Sequence, residues 1–119
     1  MKGQGVFPPS LYSSYRAKCT QATTAAPAVG TEHENTIAPG GAPTLARTSI
    51  GLYTVTWTGK FTAGKTYCRA TASTGASAMR VFNPVYTSAD VITLSCFDLG
   101  ATPAAADSGD FDLYIEVRD

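Results

Sequence analysis

Apolar and polar positions alternate through residues 51–61, GLYTVTWTGKF. Tyr53, Val55 and Trp57 fall on one parity and Thr54, Thr56 and Thr58 on the other, the period of a half-buried β-strand. The second face is built of hydroxyls rather than charges. The same period recurs downstream. In DVITLSCF, Ile92, Leu94 and Cys96 oppose Val91, Thr93 and Ser95; in FDLYIEV, Phe111, Leu113, Ile115 and Val117 oppose Asp112, Tyr114 and Glu116. TLARTS, TYCRATA and MRVFNPVY are further short strand candidates, each set off by Gly, Pro, Asp, Ser or Asn. Short strands at regular spacing predict an all-β fold, an antiparallel β-sandwich or jelly-roll-like barrel, over residues 44–119. Tyr53, Val55, Trp57, Val81, Ile92, Leu94, Phe111, Leu113, Ile115 and Val117 are its predicted core, with Leu52 more exposed.

Residues 1–43 break the pattern. They hold five of the seven prolines (Pro8, Pro9, Pro27, Pro39 and Pro43) and the run TQATTAAPAVG. Proline fixes φ and donates no ladder hydrogen bond, so the segment reads as an extended N-terminal arm and linker preceding the sandwich. Within it, VFPPSLYSSYR is too apolar for a free tail. Val6, Phe7, Leu11, Tyr12, Tyr15 and Arg16 are the candidate partner-binding residues of this arm. Fully extended, an arm of this length reaches at most about 140 Å.

Composition narrows the function. Formal net charge is zero and charged residues are 15% of the 119-residue chain, which gives no bulk attraction to nucleic acid or to an anionic membrane. No apolar run approaches a membrane span. The N-terminus lacks the apolar stretch of a secretory signal, so synthesis in a cytoplasm is expected. Charge is nonetheless uneven: Lys2, Arg16 and Lys18 stand without an acid in residues 1–20, while Asp98, Asp107, Asp110, Asp112, Glu116 and Asp119 accumulate near the C-terminus. These two segments are expected to steer neighbouring subunits together.

Candidate chemistry is sparse. His33, the one histidine, lies among prolines in TEHEN and is expected in a solvated loop. Asp107, Asp110 and Asp112 lack the glycine and distal glutamate of a calcium loop and read as a solvated turn into the last strand. Cys19, Cys68 and Cys96 have no paired spacing and are expected as reduced thiols that behave as small hydrophobes. Nucleophilic catalysis needs a nucleophile, a base and an orienting group, and no such set is present in the sequence. No enzyme activity, cofactor or metal is expected.

The pieces RTSIGLYTVTWTG, SADVITLSCFDLGATPAAAD and DFDLYIEVRD resemble small β-rich structural proteins of tailed bacteriophages, of the capsid decoration (cement) or fibre-tip type. The resemblance spans Leu45 to Asp119 and excludes the arm. It implies a virion protein, assembled in the host cytoplasm, that stabilises the capsid. Its arm would bind the major capsid protein or another virion protein, and its sandwich would form a homotrimer. The alternative is a fibre tip recognising a host surface glycan, for which Tyr86 and Tyr114 are the candidate aromatic contacts.

Overall fold

A computed structural model describes residues 11–73, 80–99 and 104–119. Among them are nine strands and no helix: β1 (Tyr12–Thr20), β2 (Ala28–Asn35), β3 (Thr44–Ser49), β4 (Leu52–Thr56), β5 (Thr66–Ala72), β6 (Arg80–Tyr86), β7 (Val91–Asp98), β8 (Ala104–Ala105) and β9 (Phe111–Arg118). They form two antiparallel sheets, a four-stranded one ordered β2-β1-β9-β5 and a five-stranded one ordered β3-β4-β7-β6 with β8 on β7. At the two edges β5 lies against β6 and β2 against β3. The fold is the all-β sandwich that the alternation predicts.

Inward positions from both sheets fill the space between them. Tyr53, Val55, Ile92, Leu94, Phe111, Leu113 and Ile115 are fully buried, with Trp57 and Phe61 closing one end. Leu52 is half-exposed, as its parity requires. Aromatic rings lock the layers: Tyr53 stacks on Phe111 with centroids 6.2 Å apart, and Phe82 meets Phe111 at 5.1 Å. Such pairs contribute about 0.5–1.5 kcal/mol each beyond their buried area. Cys19 and Cys96 pack in this core as free thiols, and Cys68 lies at its margin.

Three expectations are corrected. The boundary at residue 43 does not divide the described residues into arm and sandwich. β1 lies between β2 and β9, and Tyr15, Ala17 and Cys19 are core residues. Of the prolines that suggested an arm, three sit in connections: Pro27 precedes β2, and Pro39 and Pro43 separate β2 from β3; Pro8 and Pro9 lie outside the described residues. Val6 and Phe7 lie outside the described residues. Next, the basic and acidic segments meet within one chain, because β1 pairs with β9 and places Lys18 opposite Asp112. Finally, Val81 is 37% exposed rather than buried. The β6–β7 register sets Phe82 opposite inward Cys96, so Val81, opposite Phe97, faces outward. Val117 is partly buried against the core edge.

Two measurements check this arrangement. Deleting residues 1–20 removes β1, stripping β2 of its sheet partner, so the truncated chain should show no cooperative melting transition; a near-normal melt would contradict the central position of β1. Trp57 meets the Tyr15 ring edge-on at 5.1 Å, and Trp57→Ala should cost about 3–5 kcal/mol in chemical denaturation.

Candidate functional site

The acids that resembled a loose calcium loop diverge. The Asp107 carboxylate is saturated by donors from its own chain. Arg47 Nε donates to Oδ1 at 3.0 Å and Nη2 to Oδ2 at 2.9 Å. The Gly51 amide and the Tyr53 hydroxyl each donate to Oδ1 at 3.0 Å. Arg80 Nε donates to the Asp107 carbonyl at 3.0 Å. Asp110 instead accepts from the Gln21 amide at 3.1 Å, and Asp112 stands on an outward sheet face. Among the described residues no His, Cys, Asp and Glu side chains group as a metal site. The expectation of a merely solvated turn is therefore corrected at Asp107, whose carboxylate partners lie more than 50 residues away in sequence.

The thiols lie in the core or packed against it. Burial pushes Cys19 and Cys68 up to about 12 and Cys96 to about 11, far from the thiolate range that nucleophilic cysteines occupy. His33 is exposed on edge strand β2.

What distinguishes the molecule is its two outward faces. On the four-stranded sheet, pairing aligns Glu34, Arg16, Tyr114 and Arg69 in one row, and Lys18, Asp112 and Thr71 in the next. A shallow groove of about 690 Å³ runs over these residues except Lys18, and Tyr12 and His33 line it as well. The Arg69 guanidinium lies 5.1 Å from the Tyr114 ring centroid, a cation–π contact. The Tyr114 hydroxyl donates to Glu116 Oε1 at 2.8 Å, and Arg118 Nε donates to Glu116 Oε2 at 2.8 Å. These bonds, the tyrosine's first and then the arginine's, hold Glu116 below the usual carboxylate range.

The outward face of the five-stranded sheet has the opposite character. Its registers give the rows Thr44–Thr56–Val91, Ala46–Thr54–Thr93–Val85, Leu52–Ser95–Asn83 and Phe97–Val81. None of these outward residues is charged. Val85 is 47% exposed and Phe97 36%. The threonine parity of GLYTVTWTG lies in the middle of this face.

The candidate arm residues scatter. Tyr15 is buried in the core of its own domain. Tyr12 and Arg16 line the groove, and Leu11 is 72% exposed just before β1. Of the aromatic glycan candidates, Tyr114 lines the groove, and Tyr86 lies apart at the end of β6. The alternation of Arg16 and Lys18 with Tyr15, Ala17 and Cys19 was the available signal for the groove's β1 side. Comparison with family models, with curated proteins and with solved structures finds no match to this chain.

Asp107 makes stability acid-sensitive. The Arg47 hydrogen bonds, joined by those of Gly51 and Tyr53, hold its carboxyl below its ordinary value against the opposing effect of burial. A carboxyl depressed by folding contributes stability above its unfolded value, near 3.9, and that contribution is lost as pH falls through the folded value. Asp107→Ala should destabilise the protein by about 3 kcal/mol at neutral pH. The variant should lack the part of the wild-type stability loss that sets in below about pH 4. Denaturant titrations at pH 7 and pH 3 read both effects.

Proposed function

We propose that this protein is a non-enzymatic structural component of a tailed-bacteriophage particle that packs on the capsid shell through the uncharged outward face of its five-stranded sheet. The observation that carries this reading is the absence of charge from every row of that face. Desolvating a sheet of threonine, serine and valine side chains leaves no buried ion unpaired, whereas covering a charged face would cost several kcal/mol per unmatched group. β-branched side chains on a pleated sheet are already restricted at χ1, so docking them loses little entropy.

Magnitude sets the mode of assembly. Strands of 6, 5, 7 and 8 residues, at roughly 3.3 Å per residue and about 4.8 Å spacing, give this face a footprint of only about 400 Å². A stable pairwise interface buries about 800 Å² on each partner. Copies free in solution therefore associate weakly. On a repetitive shell, many simultaneous contacts raise the effective concentration and hold each copy in place. The homotrimer is proposed to form on the shell rather than in dilute solution.

The test is co-sedimentation with assembled capsids, for the wild type and for a Thr54→Lys, Val85→Lys variant. Both positions are outward, so the variant should melt within about 1 kcal/mol of wild type. Capsid binding should fall about tenfold or more, because each lysine must be desolvated without a partner. Absence of wild-type protein from the capsid pellet would overturn the proposal.

A further inference from the structure

The groove on the four-stranded sheet carries a separate inference, independent of shell packing because it uses the opposite face. We propose that the groove binds a saccharide chain, with Tyr12, Arg16, Arg69 and Asp112 as its principal contacts.

Unspent hydrogen-bonding capacity is the first ground. Among the described residues, Arg16 and Asp112 have neither an ion-pair nor a side-chain hydrogen-bond partner, although both line the groove. Arg69 lies over the Tyr114 ring and adds to the field that lowers Glu116, but makes no side-chain hydrogen bond among the described residues, so its planar fork of N–H donors is oriented without being consumed. Glu34 is partly engaged, since Ser14 Oγ donates to its Oε1 at 2.8 Å. Arg16 and Arg69 are each paired in register with Tyr114 from opposite sides, so they stand two strands apart, roughly 10 Å at the backbone. Thr71 is likewise in register with Asp112, adding a hydroxyl to the second row.

The balance of charge chooses among ligand classes. Two guanidinium groups and two carboxylates line the groove, Arg16 and Arg69 with Glu34 and Asp112. Phosphate-rich polymers gain affinity from uncompensated cations, and here the carboxylates cancel that gain. An apolar ligand needs an apolar floor, yet Ala17 and Leu113 beneath the groove are almost wholly covered. Sugar hydroxyls both donate and accept, so neighbouring hydroxyls on one ring can satisfy a guanidinium and a carboxylate together. Tyr12, 48% exposed at the groove's end, offers a ring face for the apolar C–H side of a sugar.

The experiment is binding of the full chain to a printed array of neutral and uronic-acid-bearing oligosaccharides, followed by isothermal titration with the best-bound member. Saccharide binding by the wild type is expected. Arg16→Ala and Asp112→Asn should each weaken it by about tenfold or more, the worth of a hydrogen bond to a charged group, with unchanged melting temperature. The Thr54→Lys, Val85→Lys variant should bind as wild type does, which separates this result from the fate of shell packing. Chemical-shift mapping on the unsubstituted protein should place the perturbed amides on β1, β5 and β9. Three results would overturn the proposal: no array member bound at millimolar concentration, affinity unaffected in the Arg16→Ala and Asp112→Asn variants, or a single-stranded DNA oligonucleotide bound more tightly than any saccharide.

Discussion

One carboxylate ties the segment that leads into β9 to the five-stranded sheet. Asp107 gathers donors from β3, from the β3–β4 turn and from β4, while its carbonyl receives Arg80 of β6. Its neighbours extend the clasp. The Ala106 amide donates to the Cys96 carbonyl of β7, the Ser108 amide to the Tyr53 hydroxyl, and the Gly109 amide to Gln21 Oε1 beyond the end of β1. Ala106, Asp107 and Ser108 thus bind the five-stranded sheet, and Gly109 reaches the connection that follows β1 of the four-stranded one. Gly51 has to be glycine for this to close. Its φ is +65°, and a Cβ there would fall 2.5 Å from the Cys96 carbonyl oxygen and 2.7 Å from the backbone of Ala106. Bidentate Arg–carboxylate geometry adds direction as well as energy, which suits a contact that must fix position.

With that end fixed, the outward faces are free to differ. The five-stranded sheet presents hydroxyls and short aliphatics, and the four-stranded sheet presents tyrosines, arginines and carboxylates. Since the sheets pack about 10 Å apart, face to face, the two surfaces look in opposite directions. A body built this way is oriented by whichever face is covered first, and the other is then turned outward.

Strong alternation made β4, β7 and β9 legible, because aromatic and branched residues occupy one parity and polar residues the other. β1 was illegible for a physical reason. Its inward residues are Tyr15, Ala17 and Cys19, and small side chains suffice where Trp57 and Phe111 crowd the space. β2 is an edge strand with mostly exposed residues, so its sequence AVGTEHEN carries little period. In β6, apolar residues fall on both parities, and only the pairing with β7 decides that Phe82 faces in and Val81 out. The Asp107 clasp and the groove escaped for a common reason. Each is assembled from residues far apart in sequence, and no local window contains both a side chain and its partner. The uncharged face was half visible, as the threonine ladder of β4, but its extension across β3, β6 and β7 depends on register.

The pairing of the first strand with the last has a kinetic consequence. β1 finds its β9 partner across most of the described sequence, from Cys19 opposite Phe111 to Tyr12 opposite Arg118, and so does not complete its sheet until β9 has been made. Closing so long a loop is entropically costly before any contact rewards it, which makes this topology a slow folder. Until β9 arrives, β1 and β5 present unpaired edges, and edges of that kind recruit strands from other chains. A chain cut short within β9 would therefore be expected to aggregate rather than persist as a loosened monomer.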